Sequence, residues 1–153
     1  IYLHSFFGTK IDSDAACCPI SKREVNRTEI DYNKLIETLE DPHALTSQII
    51  HKLNALITIR TKQSAFHPNG AQNIFKIQPE IFVVLRTSPD NNQHILSLIN
   101  VTGDEIKITI PMKTINISKQ KWYDLISQDM YTFKEEEISL TLKPYDAVWL
   151  EPQ

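Results

Sequence analysis

The stretch Ile59-Arg60-Thr61-Lys62-Gln63-Ser64-Ala65-Phe66-His67-Pro68-Asn69-Gly70-Ala71-Gln72 separates two different kinds of sequence pattern. Before it, apolar residues recur at helical spacing; after it, they alternate with polar residues or form short blocks bounded by Pro, Asn, Asp and Gly. The triplet Pro68-Asn69-Gly70 interrupts regular structure, because Pro fixes φ while Asn and Gly tolerate the left-handed region. A helical segment is therefore followed here by a β region.

Two helices are predicted before this stretch. The longer one begins at Asp41-Pro42, since Asp is a good N-cap and Pro is favoured at the first helical position. Its apolar spacing continues for about five turns, to Arg60. A shorter helix is predicted to start at Thr28-Glu29-Ile30-Asp31, which has the Ser/Thr-x-x-acid form of a helix start. Its apolar face consists of Leu35, Ile36 and Leu39.

The first 28 residues have a different character. Tyr2–Phe7 is rich in Tyr, Leu and Phe and is typical of a buried strand from a parallel sheet. Thr9–Thr28 has no periodicity, and two interpretations stay open: a functional loop, or a solvated connector. Because the chain starts without Met on what resembles a strand taken from a sheet, we expect it to be a fragment.

After Gln72, short strands and turn residues alternate. The turns are marked by groups such as Ser88-Pro89-Asp90-Asn91-Asn92 and Thr102-Gly103-Asp104. This spacing predicts an antiparallel sandwich or meander. The predicted strands are Ile74–Ile77, Ile81–Thr87, His94–Thr102, Glu105–Ile110, Lys121–Ile126, Glu137–Leu142 and Ala147–Glu151.

Composition excludes some classes of function. Sixteen basic and 19 acidic residues give a net charge of -3, which favours neither nucleic acid nor an anionic membrane surface as a partner. No apolar run approaches the ~20 residues of a membrane span. Cys17 and Cys18 are adjacent and poorly placed to pair, so we interpret them as reduced thiols of a cytoplasmic protein.

The sequence contains few motifs that by themselves indicate a reaction or a ligand. It has no Gly-rich phosphate loop, no pair of His residues at metal spacing and no nucleophile beside an evident base. Aromatic residues on a sandwich can stack on sugar rings, but core packing explains them at least as well. The aromatic residues in question are Trp122, Tyr123, Tyr131, Tyr145 and Trp149.

Several blocks together resemble the C-terminal part of sucrose-phosphorylase-like enzymes, which belong to glycoside hydrolase family 13, the α-amylase family. Their order and spacing match along essentially the whole chain. The blocks are Tyr2-Leu3-His4-Ser5-Phe6-Phe7-Gly8, Glu24-Val25-Asn26-Arg27, Leu56-Ile57-Thr58-Ile59-Arg60, Ala65-Phe66-His67-Pro68-Asn69-Gly70-Ala71-Gln72, Leu98-Ile99-Asn100-Val101-Thr102 and Trp122-Tyr123-Asp124-Leu125.

The resemblance implies an α+β fold with two parts. Residues 1–66 would be the last strand, active-site loop and helices of a (β/α)₈ barrel, with Tyr2–Phe7 as the eighth strand. Residues 67–153 would be the antiparallel C-terminal β domain. Barrel enzymes build their active sites from the βα loops, so the resemblance implies that Thr9–Thr28 is an active-site loop.

The resemblance also implies a reaction. In such phosphorylases an Asp nucleophile displaces the acceptor from an α-glucoside, a Glu acts as acid and then base, and phosphate attacks the glucosyl enzyme to give α-glucose 1-phosphate with retention. No cofactor or metal is implied. None of the acidic residues of this chain matches the catalytic carboxylates, so we expect the chain alone to be inactive and to depend on the missing N-terminal barrel, with a sugar and inorganic phosphate as substrates.

Three residues are candidates for substrate or phosphate binding. Arg27 matches an Arg near the phosphate or acceptor subsite of sucrose phosphorylases, and its guanidinium can pair two phosphate oxygens at once. The resemblance also makes Asn26 and His4 candidates to line the same pocket, with Lys10 and Asp12 as further candidates. His67 is expected to fix the junction instead.

Two questions stay open at this stage. The Cys17-Cys18-Pro19 region departs from sucrose phosphorylase itself, so the acceptor stays open among fructose, fructose 6-phosphate, glycerate and other sugars or sugar acids. The alternative function is a non-catalytic β-sandwich module that binds carbohydrate or a protein partner.

Overall fold

The structure of the chain is a computed structural model that describes residues 3–8, 29–134 and 136–153. The chain divides into two compact units, Ile1–Thr58 and Ile59–Gln153. The division that the resemblance implies, a barrel segment over residues 1–66 and a β domain over residues 67–153, remains a prediction.

The strand predicted over Tyr2–Phe7 is wrong for Leu3–Phe7, and Tyr2 lies outside the described residues. Leu3–Phe7 form a one-turn helix, α1, and Gly8 follows it with a φ of 60°, the left-handed conformation that commonly ends helices. A strand needs a neighbouring strand to satisfy its N–H and C=O groups, and in the part of the chain that the structure describes no strand pairs with this stretch. A helical turn satisfies those groups locally.

Two longer helices follow, both starting later than predicted. Helix α2 spans Tyr32–Glu40, and its N-cap is Asp31, whose carboxylate accepts a hydrogen bond from the backbone N–H of Lys34 at 3.1 Å. Helix α3 spans Leu45–Thr61. Asp41 accepts a hydrogen bond from the N–H of His43 at 2.9 Å, so it caps a turn that precedes α3 rather than α3 itself.

The antiparallel β domain predicted from the sequence is confirmed. A six-stranded sheet has the order β1-β2-β3-β8-β5-β6, and a separate pair consists of β4 and β7. All pairings are antiparallel. The strands are β1 (Ala71–Gln78), β2 (Ile81–Thr87), β3 (His94–Asn100), β4 (Ile106–Pro111), β5 (Lys121–Asp124), β6 (Met130–Thr132), β7 (Glu137–Leu142) and β8 (Ala147–Pro152).

The hydrophobic core lies between the six-stranded sheet and the β4–β7 pair. Alternate residues of each strand point into it, as expected for strands with one buried face. A short helix, α4 (Met112–Ile115), closes one end and terminates at Asn116, which has a left-handed φ of 55°. The fully buried side chains include Trp122, Leu96, Leu98, Ile108, Ile110, Ile138, Leu142 and Leu150.

The opposite face of the six-stranded sheet is called here the outer face. The strand register places Ile74 beside Val84, Phe82 beside Ile99, and Arg86 beside Ile95, all on this face. Trp149 of β8 pairs with Ser97 and lies on the same face. The outer face is therefore apolar along much of its length, although it does not face the core.

Candidate functional site

The structure describes one of the three predicted binding residues. His4 lies on α1 and is half-buried. Asn26 and Arg27 lie outside the described residues, as do Lys10 and Asp12. The predicted grouping of His4, Asn26 and Arg27 around a phosphate therefore remains a prediction.

Asp90 has structural surroundings rather than catalytic ones. Asp90, in the turn after β2, accepts hydrogen bonds from the Ser88 hydroxyl and from Asn92, and these bonds lower the pKa of its carboxyl below the ordinary 3.8. A general acid of a glycosidase needs the opposite shift.

Over residues 3–8, 29–134 and 136–153, no group of three or more His, Cys, Asp or Glu side chains could hold a metal ion.

Asp124 is buried and binds backbone N–H groups. Its Oδ1 atom accepts hydrogen bonds from Trp149 at 2.9 Å and from Ile126 at 3.1 Å, and its Oδ2 atom accepts one from Ser127 at 3.3 Å. A carboxyl group that accepts hydrogen bonds from several N–H groups has its oxygen atoms satisfied without a substrate. Asp124 therefore fastens the turn after β5 to strand β8.

The junction between α3 and the β domain contains a dense polar cluster centred on Gln93. The Gln93 Oε1 atom accepts hydrogen bonds from the N–H of Ala65 at 2.9 Å and from the Ser64 hydroxyl at 3.1 Å. Its amide nitrogen donates to Gln63 and to Glu151, each at 2.7 Å. One side-chain amide thus holds the 3₁₀ turn Ser64–Phe66 against β3 and β8.

Arg86 supports the same junction from β2. Its guanidinium donates to the carbonyl oxygens of Ala65 at 3.2 Å and His67 at 2.7 Å, and to the Gln72 side chain at 2.9 Å. The His67 ring accepts a hydrogen bond from the N–H of Asn69 at 3.1 Å. The Arg86 bond uses the backbone carbonyl of His67, and the ring bond is local to the turn, so the expectation that His67 fixes the junction remains a prediction.

A cavity of about 470 Å³ opens at this junction, and sequence reasoning did not single it out. Its lining includes Arg60, Lys62 and His67, whose side chains can carry positive charge. The Arg60 guanidinium lies 4.5 Å from the centre of the Phe66 ring, a cation–π arrangement that already uses one face of this group. The side chains of Arg60, Lys62 and His67 are exposed, so the cavity does not form a desolvated anion site.

The tryptophans do not form a sugar-binding platform. Trp122 is fully buried, and its indole N–H donates to the carbonyl of Lys119 at 2.6 Å. The Trp149 ring packs on Phe66 with 4.9 Å between ring centres. For these two residues core packing, not sugar stacking, is the role that the structure supports.

The fold and its sites define a class: an antiparallel two-layer β domain preceded by a helix, with no catalytic centre evident among the described residues. Such a domain matches the solved structure of AmyP in complex with maltotriose, with a TM-score of 0.71 and 18% identity over 95% of this chain and 28% of that one. A solved Anoxybacillus α-amylase matches 84% of this chain and 25% of its own, with a TM-score of 0.61 and 16% identity. At these identities the likeness concerns the fold alone.

The sequence relatives are more specific. The chain is 29% identical to the glucosylglycerate phosphorylase of Spirochaeta thermophila, over 99% of this chain and 27% of the relative. It is 26% identical to that of Escherichia coli, over 99% and 25%. The Allomeiothermus silvanus enzyme is 29% identical over 98% and 23%. The resemblance to sucrose-phosphorylase-like enzymes of the α-amylase family is thereby confirmed.

No protein-family model matches the chain. The chain spans about a quarter of the length of the curated relatives it matches.

Among the helices that the structure describes, none combines the length and apolar character needed to cross a lipid bilayer.

Proposed function

We propose that this chain is the C-terminal part of a retaining glycoside phosphorylase. The enzyme would transfer a glucosyl group from an α-glucoside to inorganic phosphate and release α-glucose 1-phosphate. The observation that supports this most directly is the similarity to three glucosylglycerate phosphorylases over 98% to 99% of this chain. Their names identify phosphorolysis as the reaction to test first.

The chain would contribute binding and structural support rather than catalytic carboxylates. Asp124 is engaged with three backbone N–H groups, and Asp90 has a lowered pKa, so neither suits a general acid. In this proposal the nucleophile and the acid/base residue belong to a barrel that precedes the chain. His4, Asn26 and Arg27 would contribute the phosphate and acceptor end of the site.

We propose glucosylglycerate as the substrate, ahead of sucrose or sucrose 6-phosphate. The names of the three relatives support this choice. Glycerate carries a carboxylate, and a basic side chain such as Arg27 would suit both this group and the incoming phosphate. We also propose a cytoplasmic location, which the adjacent Cys17 and Cys18, poorly placed to pair with each other, favour.

The test uses the full-length protein that contains this chain. Glucosylglycerate, sucrose and sucrose 6-phosphate are each supplied with and without inorganic phosphate, and α-glucose 1-phosphate is measured. We expect phosphate-dependent release that is fastest with glucosylglycerate, and no release by the 153-residue chain alone. If sucrose were the one substrate that released glucose 1-phosphate, it would replace glucosylglycerate as the proposed substrate. Hydrolysis without any glucose 1-phosphate would refute the proposal that the enzyme is a phosphorylase.

A further inference from the structure

A polar cavity of about 450 Å³ opens at the end of the six-stranded sheet where β3 and β5 begin and β8 ends. These three strands are neighbours and run antiparallel, so the three ends lie side by side. Residues 92–94, 116–119 and 151–152 line the cavity. Its volume falls within the range of about 300–1,000 Å³ that is typical of small-molecule sites.

The cavity has a half-buried base and an exposed rim. His94, Ile117 and Glu151 are half-buried, whereas Asn116 and Lys119 are exposed. A ligand in the cavity would therefore lose water at the base and keep contact with solvent at the rim. The cavity at the end of α3 differs in this respect, because its three basic side chains are all exposed.

Two side chains of the base are held in place by one polar atom and retain a second. The His94 Nδ1 atom lies 3.1 Å from the Thr87 hydroxyl, and no hydrogen bond within the described residues uses its Nε2 atom. The Glu151 Oε1 atom accepts a hydrogen bond from the Gln93 amide at 2.7 Å, and no described residue donates to its Oε2 atom. Groups that are already positioned lose little conformational freedom when a ligand binds.

The rim segment between α4 and β5 is fixed through its backbone. The N–H of Asn116 donates to the carbonyl oxygens of Lys113 and Met112, and the carbonyl of Lys119 accepts a hydrogen bond from the Trp122 indole at 2.6 Å. In the part of the chain that the structure describes, the Asn116 amide and the Lys119 ammonium group bond to no other side chain. They can therefore bind a ligand without giving up a protein partner.

The charges of the lining select a class of ligand. The Glu151 carboxylate would repel a phosphate or a carboxylate, and the Lys119 ammonium group would repel a metal ion or an amine. The amide of Asn116 both donates and accepts hydrogen bonds, as a hydroxyl group does. A lining with balanced charges and a mixture of donors and acceptors therefore fits a neutral ligand with several hydroxyl groups.

The lining also has an apolar part, formed by Ile117 and Pro152, which are both half-buried. A pyranose ring carries hydroxyl groups around its rim and C–H groups on its faces, so it needs both kinds of surface. We propose that this cavity is a binding site for a neutral hexopyranose sugar. The inference uses residues of the β domain alone and does not rest on the proposed function.

The experiment measures acetylation of Lys119 in the full-length protein. An N-hydroxysuccinimide ester of acetic acid modifies the lysines, peptide mass spectrometry gives the rate at each one, and methyl α-D-glucoside is the added sugar. Lys143 is the control, because it is exposed like Lys119 and precedes the other end of β8. We expect saturating sugar to slow acetylation of Lys119 at least about threefold and to leave Lys143 unchanged.

The variant Asn116→Gly tests where the sugar binds. Glycine adopts the φ of 55° without strain, so the backbone is kept while the side-chain amide is lost. We expect the sugar concentration that gives half of the protection at Lys119 to rise about three- to tenfold. Thr114→Ala is the matched control, because Thr114 is exposed on α4 and does not line the cavity, and it should leave that concentration unchanged.

Each outcome decides for or against the proposal. Protection of Lys119 by the glucoside that weakens in Asn116→Gly supports it. Acetylation that the glucoside does not slow would overturn it, as would protection by inorganic phosphate at the same concentration in place of the glucoside. Equal slowing at Lys143, or protection that is unchanged in Asn116→Gly, would show that the sugar binds elsewhere and would overturn it too. Phosphorolysis is assayed separately, so failure of one proposal leaves the other intact.

Discussion

The side-chain oxygen of Gln93 accepts a hydrogen bond from the backbone N–H of Ala65 at 2.9 Å, across 28 positions of sequence. Ala65 is completely buried, so its N–H has no access to water as a substitute partner. The same Gln93 amide reaches Glu151 at the far end of the chain. A single polar side chain therefore joins the segment that follows α3 to two strands of the β domain.

Replacement of Gln93 by Leu is expected to destabilise the β domain. Leu has a similar volume but leaves the buried N–H of Ala65 without its acceptor, which costs about 1–3 kcal/mol. Chemical denaturation of the wild type and the variant measures the difference. Gln120→Leu, at an exposed position, serves as the control and is expected to change stability by less than ~0.5 kcal/mol. Equal stability of the two variants would show that the Gln93 bonds are dispensable.

Replacement of Gly70 by Ala is expected to be costly for reasons of space. A Cβ atom at Gly70 would lie 2.5 Å from the carbonyl oxygen of Thr87 and 3.1 Å from that of His67, and both are backbone atoms. We expect a loss of roughly 2 kcal/mol or more, measured by thermal or urea unfolding.

Gly103→Ala is the matched control for this substitution. There a Cβ atom would meet the hydroxyl end of Tyr145 at 3.3 Å, and that side chain is exposed and free to adjust. We expect a change within ~0.5 kcal/mol. If both glycine variants unfolded alike, the close approach of Thr87 would not be the reason for Gly70.

Removal of the Asp124 carboxylate is expected to loosen the connection between β5 and β8. Asp124→Ala leaves the N–H groups of Trp149, Ile126 and Ser127 without an acceptor, at a cost of about 2–4 kcal/mol. Asp124→Asn keeps one acceptor oxygen and should cost less. Denaturation measures both variants against Asp129→Ala, an exposed position in the same turn. An unaltered Asp124→Ala variant would contradict the structural role of the carboxylate.

The elements that the sequence predicts well are those whose pattern is local. Strands β2 and β7 begin and end as predicted, because turn residues bound β2 on both sides and apolar and polar residues alternate along β7. Strand β6 has three residues and was not predicted, since it exists through its pairing with β5. The stretch from Leu3 to Phe7 has the composition of a buried strand, but composition does not supply the neighbouring strands that a strand requires.

The roles of individual side chains were harder to predict than the strands. Gln93 and Asp124 look like ordinary loop and strand-end residues, and their partners Ala65 and Trp149 are 28 and 25 positions away. Only the fold brings these pairs together. Gly70 was interpreted through its tolerance of positive φ, yet it is not among the positive-φ residues of the described chain. The close approach of the Thr87 carbonyl is a tertiary feature.

The turn around Asp90 predicts a specific pH dependence. Hydrogen bonds from Ser88 and Asn92 hold the pKa of the folded state below the 3.8 of an unperturbed Asp. The resulting stabilisation is present above about pH 3.8, and it is lost as the pH falls through the lower pKa of the folded state. Asp90→Asn should therefore show a shallower fall of unfolding midpoint below pH 4 than the wild type. Parallel acid limbs in the two proteins would contradict this assignment.

Arg27→Ala in the full-length enzyme tests the proposed phosphate site. A guanidinium that pairs two phosphate oxygens binds them through charge-assisted hydrogen bonds. Loss of these bonds should lower kcat/KM for phosphate by roughly 10- to 100-fold. Formation of the glucosyl enzyme does not involve phosphate and should fall much less, which a burst of acceptor release in phosphate-free buffer measures. Arg23→Ala, four positions earlier, controls for loss of positive charge in this stretch, and Arg27→Lys should recover part of the phosphate dependence because it restores the charge without the fork. If kcat/KM for phosphate were unchanged in Arg27→Ala, phosphate would be bound by other residues, and the site assigned to this chain would be wrong.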